Sequence, residues 1–411
     1  MRILLVSQWC DPEPTFKAVL FARALQEKGH QVQILTGFPN YPGGKVYPGY
    51  RIKAFQREWQ QGVEILRVPL YPSHDGSSRK RILNYGSFMV MALLYGLFRV
   101  RRSDVIYCYH PPLTAGIAAA LLAKLRRIPL VYDVQDLWPD TLGATGMMQN
   151  PRLLERIGKL CNWVYRQSAQ VVVLSPGFKQ RLLERGVPAA KLEVIYNWCD
   201  EAQIRLERNP EQGEDWGLSG RFNVVFAGTM GKAQALETVL EAAKLLEGHT
   251  EIQFVLVGGG IEVDSLKAQA KRLGLQNVRF LPRLPVDRIG QVLGWADVLL
   301  VHLKNDPLFK ITIPSKTQAY LSVGKPILMA VGGDADVLLE QAQAGLCCPP
   351  EQPEALAQAV LELAAKSFQE RQDIGQRGKA YYYNHLSLET GTQHFVRVFE
   401  KVVRRYAQAR I

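Results

Sequence analysis

The apolar run 129–133 delivers two carboxylates, Asp133 and Asp136, with Gln135 between them and Trp138 two residues beyond. Ligands of α/β sheets bind at the carboxyl ends of strands, and a carboxylate placed there can orient or deprotonate a hydroxyl. Asp136 and Gln135 are therefore candidate catalytic groups. Asp133, nearer the strand end, reads as buried support for them. Asp140, immediately before Thr141, has the plainer look of a loop residue that caps or solvates.

A second kind of chemistry is written into 223–246, where the β-branched and aromatic run 224–227 joins a helical pattern through Gly228 and Gly231. The first N–H groups of a helix lack internal partners, so together with the helix dipole they favour an anion, and Lys232 would add countercharge. Such a turn is often no more than a strand-to-helix connection. Pro314-Ser315-Lys316 repeats the pattern, with Ser315 as N-cap of a helix over 317–322, which ordinary capping also explains.

These groups need a scaffold. At 411 residues, 47% hydrophobic and 21% charged, the chain is too long for one core and reads as two α/β domains, with equivalent beginnings at residues 1 and 223. Further strands are expected over 31–36, 64–68, 104–108, 171–174, 192–196, 252–257, 278–280, 296–301 and 327–331. Helices are expected over 17–28, 113–126, 153–167 and 263–273, with a closing helix over 388–409. The polar stretch 201–221, with its Gly and Pro, reads as the interdomain linker. The domains are then 1–200 and 201–388, with 389–411 crossing back onto the first.

Charge separates the halves. Residues 1–200 hold 26 Lys and Arg against 14 Asp and Glu, a net +12, whereas residues 201–411 hold 24 against 24. The first half is thus expected to face an anionic partner, and without a zinc finger, helix-turn-helix or RNA-binding aromatic signature that partner is not nucleic acid. The segment 82–98 is apolar, contains Asn84 and Ser87, and lies between Arg79, Lys80, Arg81 and Arg99, Arg101, Arg102. Seventeen residues are marginal for crossing a bilayer. A buried core helix and a helix dipping into a membrane interface both fit, and both hold if one face packs inward. Six cysteines without regular spacing read as reduced thiols with neither zinc nor disulfides, and a chain opening on a strand rather than a signal peptide is expected in the cytoplasm.

With Asp133-x-Gln-Asp-Leu-Trp-Pro, the turn 228–234 and Pro314-Ser-Lys with Gly324-Lys-Pro in view, nearly the whole chain resembles the bacterial retaining glycosyltransferases of the GT-B fold, family 4. The nearest branch is that of the N-acetyl-fucosamine transferases of surface-polysaccharide assembly, including O-antigen and capsule. The resemblance implies two Rossmann-like domains facing across a cleft, a UDP-sugar donor on the second domain, and a polyprenyl-diphosphate saccharide acceptor on the first. It also implies peripheral attachment to the inner face of the cell membrane, no cofactor and no metal. Donor contacts are then expected from Gly228, Gly231, Lys232, Gln234, Gly259, Arg283, Pro314, Ser315 and Lys316, and acceptor-side contacts from Asp133, Trp138 and Asn197.

The chain departs from the family pattern. The paired glutamates seven residues apart fall at Ile311 and Ala319, and the phosphate-binding Arg and Lys at Thr229 and Gln234. Lys316 and Lys232 are then left to hold the diphosphate. A leaving diphosphate gathers charge in the transition state, and fixed cations and N–H groups aimed at it lower the barrier. Two other readings survive, a GT-B epimerase acting on the nucleotide-sugar alone and an inactive GT-B module serving as a membrane-bound partner.

Overall fold

The computed structural model describes residues 1–15, 17–73, 78–144 and 148–408. The chain divides into two compact units, Met1–Tyr196 with Gly391–Ile411, and Asn197–Thr390.

The first unit is built on eight strands, β1 (Arg2–Val6), β2 (Gln31–Gly37), β3 (Gln56–Gln60), β4 (Val63–Val68), β5 (Val105–His110), β6 (Leu130–Val134), β7 (Gln170–Val173) and β8 (Leu192–Val194). They lie in the order β3-β4-β2-β1-β5-β6-β7-β8, all parallel except the edge pair of β3 with β4. A parallel sheet is covered on both faces, which is why β1, β5 and β6 are apolar runs rather than alternating ones. The register sets Val6 opposite Leu35 and Cys108, and Cys108 opposite Tyr132, so the loops leaving β1, β2, β5 and β6 gather along one edge.

Helix α1 (Val19–Glu27) buries Phe21 and Leu25, and the closing helix Leu388–Gln408 returns Phe395 and Phe399 to this core, with the Phe395 ring centred 5.0 Å from Phe21 and 5.4 Å from Tyr107. Helix α2 (Ser78–Phe98) buries only Asn84, Phe88, Ala92 and Gly96, one stripe at a spacing of four, against α3 (Leu113–Arg126) and strands β2 and β4. Its other side leaves Ile82, Leu83, Val90, Leu94 and Phe98 exposed, Phe98 to 80%. Among the described residues this is the one helix long and apolar enough to cross a membrane.

The second unit carries β9 (Phe222–Thr229), β10 (Ile252–Gly259), β11 (Val278–Leu281), β12 (Val298–His302), β13 (Ile327–Ala330) and β14 (Gly345–Cys347), all parallel in the order β11-β10-β9-β12-β13-β14. At the carboxyl ends of β9 and β10 the backbones nearly touch. A Cβ on Gly258 would stand 1.9 Å from the Gly228 carbonyl oxygen, so only glycine fits there.

Two expectations are corrected. The stretch 201–221 is not a free linker but part of the second unit. Glu207 N–H donates to Gly290 O at 3.3 Å, Asn209 caps the helix Pro210–Asp215, and Leu218 is fully buried. A Cβ on Gly290 would sit 1.8 Å from Arg205 O, so the segment lies flat on the helix Val286–Trp295. The turn after β9 likewise does not open directly into a helix. It forms a 3-10 turn, Lys232–Gln234, then turns left-handed at Ala235 (φ 45°), and the helix proper is Glu237–Leu245 with an acidic residue in its first turn.

Candidate active site

In the second unit a cavity of about 240 Å³ opens at the carboxyl ends of β9 and β10. Gly228, Thr229, Gly258, Gly259, Arg283, Lys316, Ala319 and Tyr320 line its polar side, and Ile204, Val257, Leu284, Val286, Ile289 and Leu293 its apolar wall. The helix Lys316–Val323 is held against β9 by Tyr320, whose hydroxyl accepts from Ala227 N–H at 2.8 Å and donates to Ala227 O at 3.2 Å. That pin brings Lys316 in behind the glycines. Its Nζ lies 3.4 Å from the centre of the Phe226 ring, is buried, and has no hydrogen-bond partner among the described residues. A Cβ on Gly228 would come within 2.9 Å of Nζ, so the glycine clears the space the ammonium occupies.

Burial pulls the Lys316 ammonium down to about 7. A cation held over an aromatic face without an acidic partner is a standing demand for an anion, which P–O⁻ groups of a diphosphate meet. Of the residues expected at a donor site, the structure brings together Gly228, Gly259, Arg283 and Lys316. Lys232 is exposed and lies outside the lining. Gly231 and Gln234 are engaged with one another, Gln234 Oε1 accepting from Gly231 N–H at 3.0 Å. Pro314 and Ser315 also lie outside it, and Ser315 makes no capping hydrogen bond with its side chain, because Thr317 N–H goes to Pro314 O at 2.9 Å. The apolar wall from Val286, Ile289 and Leu293 went unread in the sequence, although Pro285 followed by that spacing is a helix signal.

In the first unit, Asp133 is wholly buried at the end of β6. It accepts from Lys17 Nζ at 2.8 Å, Tyr107 Oη at 2.6 Å and Gln135 Nε2 at 2.6 Å, and the Lys17 side chain is as fully buried as its own. Asp133 is therefore the node of a buried network, as its place at the strand end suggested. Gln135, the other catalytic candidate, donates one amide N–H to Asp133 and so sits beside this network. Asp136 differs. Burial alone raises its carboxyl to about 6, and no ion pair reaches it among the described residues. Trp138 packs edge-on to His110 with centroids 5.4 Å apart, and its carbonyl accepts from Arg185 at 2.9 Å. Asn197, grouped with Asp133 and Trp138 in the sequence, falls in the second unit. Among the described residues no group of three His, Cys, Asp or Glu side chains is placed to hold a metal ion.

Comparison with known proteins places this geometry. Residues 18–198 match the glycosyl transferase 4-like domain, and residues 210–381 match glycosyl transferases group 1. The chain is 28% identical over 356 residues to the colanic acid biosynthesis glycosyl transferase WcaI of Escherichia coli K12, covering 82% of this chain and 84% of that one. It is 27% identical over 298 residues to the glycosyltransferase WbjE of Pseudomonas aeruginosa, covering 70% and 74%. Among solved structures, HepE of Anabaena, crystallised with UDP and glucose, superposes with a TM-score of 0.70 at 18% identity over 97% of this chain and 99% of that one. Sucrose-phosphate synthase of Thermosynechococcus elongatus superposes with 0.73 at 15% identity over 98% and 99%. By its two family domains, the chain belongs to the family 4 glycosyltransferases of the GT-B fold.

Proposed function

We propose that the protein moves a sugar, of the N-acetylamino-hexose class, from a UDP-sugar to a lipid-linked polyprenyl-diphosphate saccharide during assembly of a cell-surface polysaccharide, with retention at the anomeric carbon. The observation that carries the reading is Lys316, a buried ammonium without a hydrogen-bond partner among the described residues, beside the Gly228 and Gly258 backbones. The diphosphate sits against Lys316 and Arg283, and the uracil and ribose lie on the wall formed by Val286, Ile289 and Leu293. Support from relatives comes from HepE, solved with UDP and glucose, and from WcaI, named for colanic acid biosynthesis.

In the reaction the bond from the anomeric carbon to the β-phosphate oxygen breaks, and that carbon bonds to an acceptor hydroxyl oxygen on the same face. Charge accumulates on the departing diphosphate, and Lys316 is preplaced to receive it, doing the work of the family's phosphate-binding Arg and Lys, whose positions are Thr229 and Gln234 here. The acceptor proton passes to the leaving phosphate oxygen or to Asp136. A carboxyl raised to about 6 by burial is ionised at neutral pH and still basic enough to orient or take that proton. The anionic acceptor and the exposed apolar side of α2, flanked by basic residues, support peripheral attachment to the inner face of the membrane.

A panel of UDP-, GDP- and dTDP-sugars read by thermal shift tests the donor assignment, since a ligand that binds only the folded state raises the midpoint by mass action. Stabilisation by UDP-sugars that disappears in Lys316→Met supports it. Stabilisation retained in that variant places the diphosphate elsewhere. Ala319, standing where the family has an acidic residue, gives the inactive-partner reading its footing, and binding of UDP-sugar with no turnover on any lipid-linked acceptor would favour it.

A further inference from the structure

The loops that leave β1 and β2 meet at the carboxyl edge of the first sheet, and there the Trp9 and Tyr41 rings stack with centroids 4.4 Å apart at 27°. Both rings are only half-buried. A large aromatic pair at a loop edge normally seeks cover in the core, so its remaining partly open must be held from elsewhere. Two buried side chains hold it. Asn84, on α2, accepts from Gln8 Nε2 at 2.6 Å and donates to Asn40 Oδ1 at 3.2 Å and Tyr71 O at 2.7 Å, which fixes the residue before each ring. Glu13 accepts from Cys10 N–H at 2.9 Å, Asn40 N–H at 2.8 Å and Tyr41 N–H at 2.7 Å, which fixes the other flank of both loops. Between them these bonds fix the backbone on which both rings are carried.

Asp136 leaves β6 on the same edge, and it lies close enough to Tyr41 to act on it. The Tyr41 hydroxyl is made less acid by burial first, then by the charges of Asp136 and Glu13. Tyr109, at the end of β5, is shifted the same way by burial, then by Asp133, and after it by Asp136 and Tyr41.

We propose that Trp9 and Tyr41 form the platform on which an acceptor pyranose ring lies, its apolar C–H face on the aromatic pair and a hydroxyl at its edge toward Asp136. Resting on the acceptor reading of the first unit, the proposal adds a ligand class, a pyranoside, and a positioning residue, Asn84, that ties the platform to α2. A pyranose has one face of axial C–H groups that packs on an aromatic ring through dispersion and weak C–H contacts, while its equatorial hydroxyls stay free to bond. The platform binds that face without choosing the sugar's identity; the choice falls to the groups at the ring's rim.

Saturation-transfer NMR on the full-length protein with methyl glycosides of glucose, galactose, N-acetylglucosamine and fucose tests it, with UDP binding measured in parallel. Wild-type protein is expected to saturate the ring C–H protons of at least one glycoside. In Trp9→Ala and Tyr41→Ala that affinity falls about tenfold or more, while Trp9→Phe keeps most of it and UDP affinity is unchanged in all three. Asn84→Ala is expected to weaken the glycoside in the same direction with UDP affinity intact, a split that a general loss of structure would not give. Wild-type binding unchanged in Trp9→Ala, or no glycoside signal from wild-type protein, overturns the platform. Failure of UDP to bind wild-type protein counts against the donor reading of the second unit and leaves the glycoside result to judge the platform by itself.

Discussion

The Lys316 ammonium stands 3.4 Å above the centre of the Phe226 ring and has no hydrogen-bond partner among the described residues. Solvation lost on burial is only partly returned by the ring's negative face. An arriving diphosphate supplies the missing charge. Replacing Lys316 by Met keeps the stem packed on Phe226 and removes the ammonium. A charge-assisted hydrogen bond is worth roughly 1.5–3 kcal/mol, so UDP affinity should drop by about ten- to a hundredfold, read by calorimetry, while the ligand-free thermal midpoint at neutral pH rises, because the variant no longer buries an uncompensated charge.

Lys316 and Asp136 also set a pH window. In the mechanism proposed above the active forms are protonated Lys316 and ionised Asp136. Asp136 loses its proton as pH rises through about 6, and Lys316 loses its own as pH rises through about 7. The free-enzyme profile, kcat/KM against pH, should therefore rise through about 6 and fall above about 7, narrower than unperturbed groups would give. In kcat the upper limb should move to higher pH, because bound diphosphate raises the lysine's proton affinity. Asp136→Asn should remove the lower limb together with nearly all turnover.

The same carboxylate carries a stability signature. Its folded pKa lies above the ordinary carboxylate value, so the folded state holds the proton more tightly than the unfolded chain does. Stability is then lost as pH rises from about 4 to about 6 and stays lost above. Asp136→Asn should accordingly be more stable than wild type at pH 7, by on the order of 3 kcal/mol, and indistinguishable below pH 4. A site that gains stability when its charge is removed, and loses activity with it, is one kept for function. Denaturant melts at pH 4 and pH 7 make the comparison.

Asp133 behaves in the opposite way. With Lys17 at 2.8 Å and both side chains fully buried, removing either partner strands a charge in the core. Asp133→Leu and Lys17→Met should each cost about 3–5 kcal/mol alone, and far less when combined. Chemical denaturation of the two singles and the double closes the cycle.

What the sequence disclosed and what it hid follow from one distinction. The apolar runs at 2–6, 130–134 and 252–257 announced buried parallel strands, because burial on both faces leaves no alternation to misread. Lys316 stood out in the sequence as a phosphate-binding candidate from Pro314-Ser315-Lys316, and the structure buries its ammonium for a reason that motif does not contain. The helix start is not what exposes it; the Phe226 ring and the Gly228 backbone are, and these come from a strand some ninety residues earlier in the chain. Lys232 stands outside that cavity for the complementary reason, since a left-handed residue at Ala235 delays the helix past the turn that seemed to begin it. Trp9 and Tyr41 gave no signal at all. Their stacking depends on β1 pairing with β2, a register between residues thirty apart that local spacing does not encode.

Helix α2 gives the last prediction. Its inward stripe, Asn84, Phe88 and Ala92, is fully committed to the first unit, whereas Leu83, Val90, Leu94 and Phe98 face outward with Arg79, Lys80, Arg99 and Arg102 exposed near its ends. An apolar helix face rimmed by cations suits an anionic leaflet, where each Lys or Arg contributes about 1 kcal/mol and the leucines and phenylalanine enter the interface. The protein is expected to sediment with vesicles of phosphatidylglycerol and phosphatidylethanolamine at low salt, and less at 0.5 M salt, because screening shortens the reach of each charge to roughly 4 Å. Leu83→Ser, Leu94→Ser and Phe98→Ser together should release it while UDP binding and the thermal midpoint hold. Phe88→Ser should do the reverse and unfold the first unit, since truncating a buried aromatic costs about 3–5 kcal/mol. Were the outward triple variant to unfold as Phe88→Ser does, or to sediment like wild type, the exposed face would have no lipid role and the acceptor would have to come to the protein in water.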